Sequence, residues 1–297
     1  MNMNLNTDIL IIGGGPAGLQ AALTIGRVHR NAVLLDDGRY RNAPVAHMHN
    51  VLGQDGTPPA DFRKQGREEL AAYPTVQVLD ARAEVLAGDV TTGFVAALTD
   101  GREVHARRVI LATGVRDELP DVPGLADLWG DRAAQCPFCH AHEFSGTRSG
   151  ILGATRAEHY VALLRPVAGE LLILPLPGEE GLPAPTGTPQ AAAPVARLTE
   201  VPDGVEVTFT DGGTARVAVV FTAARFHQSA PFAEQLGLAL NESGCIRINI
   251  FGRTSQEGVF AAGDLAHHPE LPMPMPSVIN ALAAGQTAAS AAIASLL

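Results

Sequence analysis

A glycine-rich turn between a short strand and a helix, an echo of that plan in the second half, and a late strand-to-loop segment returning to the first pattern predict an α/β fold. The expected architecture is two Rossmann-like (three-layer ββα) dinucleotide-binding domains, the first of them discontinuous. Asp8 to Ile12 reads as a short apolar strand, and Gly13 to Gly26 as a glycine-rich turn entering a helix. Ala32 to Leu35 is the next strand, ending in Asp36. Ala60 to Tyr73 has helical spacing, while Val76 to Glu84, Phe94 to Thr99 and Val104 to Thr113 alternate like strands. Asp100–Gly101 marks a hairpin turn between the last two.

The second half repeats these signals. Thr210–Asp211–Gly212 before Ala218 to Ala223 echoes Thr99–Asp100–Gly101 before Arg107 to Ala112. Leu152–Gly153, with the helix ending in Val161–Ala162–Leu163, echoes Ile12–Gly13 and Ala21–Ala22–Leu23. Six prolines between 175 and 194 exclude a helix or central strand there, so a loop replaces one element of the second unit. Gly258 to Asp264 then resumes the first domain. The expected domains are 1–119 with 242–297, and an inserted 120–241.

Composition narrows the functions. Lys+Arg total 21 against 31 Asp+Glu, a formal net charge of −10, which argues against a nucleic-acid partner and an anionic membrane surface. No basic residue precedes the first apolar run, so no secretory signal is expected. The Ala-rich stretch from Ala281 to Leu297, interrupted by Gly285, Gln286 and Thr287, reads as a packed core helix rather than a span. A cytoplasmic address follows. Structural disulfides are then not expected, and a close cysteine pair is catalytic or metal-binding.

Two motifs carry chemistry. In Gly13-x-Gly15-x-x-Gly18, Gly13 permits the tight turn, Gly15 lets a pyrophosphate approach, and Gly18 lets helix and strand pack closely. Pro16 and Ala17 open the helix, whose N-terminus offers N–H groups to phosphates, and Asp36 accepts from ribose hydroxyls. Cys136-x-x-Cys139 has redox-dithiol spacing, with His140 and His142 as candidates for proton transfer. Other readings stand beside it: a c-type haem attachment, a zinc site from Cys136, Cys139, His140 and His142, or two inert buried cysteines. A haem would need export, and zinc would need four ligands from one cramped loop; no metal is expected. Cys245 is single and reads as structural. Leu271 to Pro276 is a rigid proline loop or the wall of an apolar pocket. His267 and His268 are loop histidines or acid–base groups.

Val109 to Gly114 (Val-Ile-Leu-Ala-Thr-Gly) and Gly258 to Asp264 (Gly-Val-Phe-Ala-Ala-Gly-Asp) resemble signatures of FAD-containing disulfide reductases. With the order of motifs, the chain resembles the low-molecular-weight thioredoxin reductase family over nearly its whole length. Cys-Pro-Phe-Cys-His is most similar to that family's dithiol-oxidase branch, which includes enzymes closing the disulfides of gliotoxin and holomycin. Tyr40–Arg41–Asn42 and His47–Met48–His49–Asn50 resemble that branch's flavin-side loops. The resemblance implies FAD bound with help from Arg41, Asn42, Asn50, Gly114, Gly263 and Asp264, the last bonding the ribityl chain. It implies a helix starting at Ser277 and Val278 with its positive end toward the flavin pyrimidine. Cys139 would face the flavin, Cys136 would exchange with substrate, and His140 would stand where the reductases carry a proton-shuttling acid. A homodimer is implied too.

The second unit departs from this pattern. Gly13 matches Gly153, but Gly15 matches Thr155 and Gly18 matches Glu158. A side chain at the middle position blocks the pyrophosphate, and a glutamate at the third crowds the helix–strand contact. The strand Leu171 to Leu174 ends in Pro175 where Asp36 stands in the first unit, and no Lys or Arg lies between Pro166 and Ala196. Standard NADPH binding is therefore doubtful. The expected activity is oxidation of a small-molecule dithiol. The alternatives are an NADPH- or ferredoxin-linked reductase of a thioredoxin-like protein, and a flavin-bound sensor without turnover.

Overall fold

A computed structural model describes residues 4–297. The chain divides into two compact units: 1–43, 59–116 and 226–297, and 44–58 with 117–225.

The first unit opens on β1 (Leu5–Ile12), α1 (Pro16–Arg27) and β2 (Ala32–Asp36). It continues with α2 (Pro59–Leu70), β3 (Val76–Asp80), β4 (Ala83–Asp89), β5 (Gly93–Leu98) and β6 (Glu103–Leu111). β3, β2, β1 and β6 lie parallel in that order. β6 changes neighbour along its length. Its first half pairs antiparallel with β5, and Val109–Leu111 pairs parallel with the late strand Val259–Ala261. β1 starts earlier than the apolar run because Leu5–Thr7 still pairs with β6.

Alternation along β1 builds the layers. Leu10 and Ile12 pack with Leu86, Phe94 and Val104 of the antiparallel meander. Ile9 and Ile11 pack with Ala17, Ala21, Ala22 and Ile25 of α1 and with Ala288 and Ala292 of the C-terminal helix Val278–Ala294. That helix is therefore a core element, and among the described residues no helix is long and apolar enough to cross a membrane.

The second unit repeats the plan on a smaller scale. Its parallel sheet runs Glu170–Leu174, Arg148–Leu152, Val219–Thr222 and Ala133–Ala134. Ile151, Ile173 and Phe221 face the helix Ala157–Leu164, and Leu152, Leu172 and Leu174 face a meander carrying Leu198, Val205 and Val207. Between 175 and 194 no helix or strand forms; the proline loop runs beside the edge strand, with Ile173 N–H bonded to Pro189 O (2.9 Å) and Ala191 N–H to Ile173 O (2.9 Å).

The unit boundaries differ from those expected. The chain rejoins the first unit at Phe226, not at 242, because Phe232, Ala233 and Leu238 pack into the meander-side core. Gln235 also bridges β4, accepting from Leu86 N–H (2.9 Å) and donating to Glu84 O (3.0 Å). Residues 44–58 join the second unit, where Gly130 (φ +96) packs against Pro44.

Candidate active site

The glycine loop of the first unit is shaped by what a side chain would hit. At Gly13 (φ +119) a Cβ would meet the Ala112 carbonyl, and at Gly18 it would meet the Gly13 carbonyl. Gly18 thus serves packing of helix on loop as much as helix on strand. A Cβ at Gly14, which sequence reasoning passed over, would run into the Asp36 carboxylate. At Gly15 a Cβ meets nothing within 4 Å. Gly15 is also the N-cap of α1, no side chain caps that helix, and Pro16 stands in its first turn. The open face beside uncapped N–H groups fits a pyrophosphate.

Asp36 lies buried under this loop, 3% exposed. Its Oδ1 accepts from Gly38 N–H (3.0 Å), and its Oδ2 from Tyr40 O–H (2.7 Å) and Arg67 Nη1 (2.8 Å). Only Oδ1 retains a lone pair for a ribose hydroxyl. Burial, reinforced by the Asp36 contact, pushes the Tyr40 phenol up to about 12, so it remains a donor. Arg63 stacks over the Tyr40 ring (3.8 Å) and donates to Asn42 Oδ1 (3.0 Å). Tyr40 and Asn42 are therefore engaged by Arg63 of α2, and Asp36 by Arg67 of the same helix, parts that no local motif announced.

Arg41 and Asp264, far apart in sequence, meet as an ion pair (3.1 Å). Asp264 follows Gly263 (φ +90), where a Cβ would lie 3.2 Å from that of Ala17. The buried Cys245 thiol donates to the Asp264 carbonyl (3.7 Å), and burial raises its pKa; its role is support. Gly114 has φ +68, a conformation that suits glycine. The C-terminal helix begins at Val278, capped by Ser277, whose hydroxyl accepts from Asn280 N–H (3.2 Å). Before it, Leu271, Met273 and Met275 turn their side chains outward.

The cysteine pair belongs to the second unit. The two-residue strand Ala133–Ala134 leads into Gln135, whose carbonyl accepts from Tyr160 O–H (3.0 Å) and fixes the exit of the chain. Cys136 is then the N-cap of the short helix Pro137–His140, and one turn brings Cys139 back to it. The two sulfurs form a disulfide with a Cα–Cα separation of 5.3 Å. Phe138, between them, is 67% exposed. Among the described residues no group of three or more His, Cys, Asp and Glu side chains is arranged to hold a metal.

His140 Nε2 faces the Gly130 carbonyl at 3.3 Å. A carbonyl only accepts, so Nε2 carries the proton and Nδ1 is the bare lone pair. That Nδ1 is buried and has no hydrogen-bond partner among the described residues. Burial lowers the pKa of His140, so the imidazole is neutral at neutral pH. Nearby, His49 lies between Asp55 (3.4 Å) and Glu143 (3.4 Å). Asn50, in left-handed conformation (φ 62), donates its N–H to Asp55 (2.7 Å) and groups with this unit rather than with Arg41 and Asn42. His142 is exposed.

A folded-state pKa below the ordinary value sets a sign. The stability tied to neutral His140 is present above about pH 6.5 and is lost as pH falls through the lowered folded value. His140→Asn is expected to lose less thermal stability than the parent between about pH 7 and about pH 5; equal losses in the two melting series would contradict the assignment.

Two expectations need correction. Glu158 does not crowd a helix–strand contact: a 3-10 turn over Ala154–Arg156 precedes the helix, Ala157 takes the buried position, and Glu158 faces outward. His267 is neither an exposed loop histidine nor an available base. It is buried, its Nε2 accepts from Ser243 O–H (2.7 Å), and its Nδ1–H donates to the His268 carbonyl (2.9 Å).

Residues 7–154 and 190–288 match the model of the pyridine nucleotide-disulphide oxidoreductase family. The chain is 34% identical to thioredoxin reductase sirT of Leptosphaeria maculans, covering 95% of this chain and 92% of that protein. Among solved structures, it is similar to an oxidoreductase from Agrobacterium tumefaciens (TM-score 0.89, 30% identity, 98% of this chain and 99% of the other). It is similar also to HlmI (TM-score 0.86, 30% identity, 98% and 92%).

Proposed function

Since the chain belongs to the pyridine nucleotide-disulphide oxidoreductase family, as a thioredoxin reductase-like flavoprotein, we propose that it is an FAD-dependent oxidase of a small-molecule dithiol that works without NADPH. The observation that carries the reading is the Cys136–Cys139 disulfide one residue from a neutral histidine with a bare Nδ1. Gly13, Gly15 and Gly18 with the uncapped start of α1 would hold the pyrophosphate of FAD, and Arg41 and Asp264 its ribityl side. Bound FAD supplies the two-electron acceptor that returns the cysteines to a disulfide.

The protein's own residues perform the exchange. A substrate thiolate attacks Cys136 Sγ, the Cys136–Cys139 bond breaks, and Cys139 leaves as thiolate. His140 Nδ1 takes the proton from the second substrate thiol, whose sulfur attacks the first substrate sulfur. The substrate disulfide forms, and Cys136 leaves as thiol with the proton His140 returns. The substrate has lost two electrons and the cysteine pair has gained them.

Three features of the second unit support independence from NADPH: Thr155 in place of glycine, Pro175 in place of an acidic residue, and no Lys or Arg from Pro166 to Ala196. The relatives' printed name favours a second substrate, a thioredoxin-like protein. The test is oxygen uptake with a small dithiol such as dithiothreitol, beside anaerobic titration with NADPH. Oxygen uptake without flavin bleaching by NADPH is the expected pair of results. Rapid, stoichiometric bleaching would overturn the proposal.

A further inference from the structure

The second unit's strand–loop–helix segment stands where a dinucleotide's pyrophosphate would sit, yet the loop is closed from within. Glu179 follows the edge strand Glu170–Leu174 on a turn in which its N–H donates to Leu176 O (3.0 Å). From there its carboxylate reaches back to the loop. Oε2 accepts from Ala154 N–H (2.7 Å) and Leu176 N–H (2.9 Å), and Oε1 from Thr155 N–H (3.2 Å) and from the Thr155 hydroxyl. Four donors fill the four lone-pair positions of one carboxylate.

The first unit offers the contrast. By the alignment that sets Gly13 on Gly153, Ala154 and Thr155 stand where Gly14 and Gly15 do. At Gly15 the loop faces open space; at Thr155 the same backbone already serves an anion that belongs to the chain. Burial pulls the Glu179 pKa upward, but the Thr155 hydroxyl and the N–H groups of Leu176, Ala154 and Thr155 outweigh it and hold the group below its ordinary value. At neutral pH a negative charge therefore occupies the place a phosphate would need.

We infer that Glu179 is the residue that determines electron-donor specificity, by acting as a built-in anion on the second unit's phosphate loop and so excluding a pyridine dinucleotide. The inference rests on the reading that this unit does not take NADPH, and it names the cause. Thr155 has a different part from the one its bulk suggests: its hydroxyl and N–H both tie the carboxylate down.

The test is amide hydrogen exchange on the FAD-loaded protein, comparing the parent with Glu179→Ala and Glu179→Gln, with inorganic pyrophosphate as the probe. In Glu179→Ala, exchange at Ala154, Thr155 and Leu176 is expected to accelerate about tenfold or more. Added pyrophosphate is expected to slow it again there and to leave the parent unchanged. Unaltered exchange in the variants, or equal protection of the parent by pyrophosphate, would overturn the inference. Glu179→Gln keeps the side-chain volume but turns an N–H donor toward the loop, so it carries the test should the alanine variant fail to retain flavin. The two readings fail separately. NADPH bleaching of the parent defeats the NADPH-independent function and the exclusion with it, whereas unaltered amides in the variants defeat only the role of Glu179.

Discussion

Serine in place of Cys136 or of Cys139 is expected to abolish dithiol turnover, with a loss on the order of 1,000-fold or more, about 4 kcal/mol of barrier. Each cysteine has a part the other lacks. Without Cys136 there is no sulfur for the substrate to join, and without Cys139 there is no leaving group to open. A hydroxyl replaces neither, because exchange needs a thiolate that attacks and departs. The two variants are also expected to fold. The bridge spans a sequence separation of 3, and closing so short a loop contributes only about 2 kcal/mol by loop entropy. Oxygen uptake with a small dithiol, measured beside a melting curve, separates the two effects. Turnover within about tenfold of the parent in either variant would remove the pair from the mechanism.

The second large effect is on stability. Gly285→Ala lies mid-helix, where alanine in place of glycine ordinarily stabilises by about 1 kcal/mol. Here the opposite sign is expected. A Cβ at 285 would run into the Ala17 carbonyl of α1, and a backbone carbonyl within a helix cannot swing aside. The two helices must separate or one must bend, at about 1–3 kcal/mol. Ala17 sits in the first turn after the glycine loop, so retained flavin is expected to fall as well. Denaturant unfolding and the flavin-to-protein absorbance ratio check both; a stabilised variant with full flavin would refute the packing argument.

Gly285 shows why some of this molecule was legible in the sequence and some was not. Gly13, Gly15, Gly18 and Asp36 lie within one short stretch, so spacing alone singles them out. The alternation of β1 and the hairpin at Asp100–Gly101 are local in the same sense. Gly285 looked like an interruption of an apolar run because its partner, Ala17, is supplied by the other end of the chain. Arg63 and Arg67 are ordinary surface-type residues of α2 until tertiary packing brings them to Tyr40, Asn42 and Asp36. Glu158 departs from the expected position for a different reason: a 3-10 turn over Ala154–Arg156 gives the second unit a loop-to-helix register unlike that of the first. The return to the first unit at Phe226 was hidden because Phe232 and Leu238 carry no motif, only volume that fills the meander-side core. At the cysteine pair, residue type and spacing carry the Cys136–Cys139 disulfide, but the Gly130 carbonyl that selects the His140 tautomer is a backbone group, which no side-chain pattern records.

The partner change along β6 bears on the order of biosynthesis. Val109–Leu111 takes its parallel neighbour, Val259–Ala261, from chain that emerges from the ribosome only after the whole second unit. Until then the nascent first sheet has a bare edge at its centre, and α1 lacks the helix that covers it. The second unit, 44–58 with 117–225, has all its chain made before residue 226 and meets no such wait. Completion of the first sheet therefore follows synthesis of the second unit, and until then the half-built sheet exposes an unpaired edge.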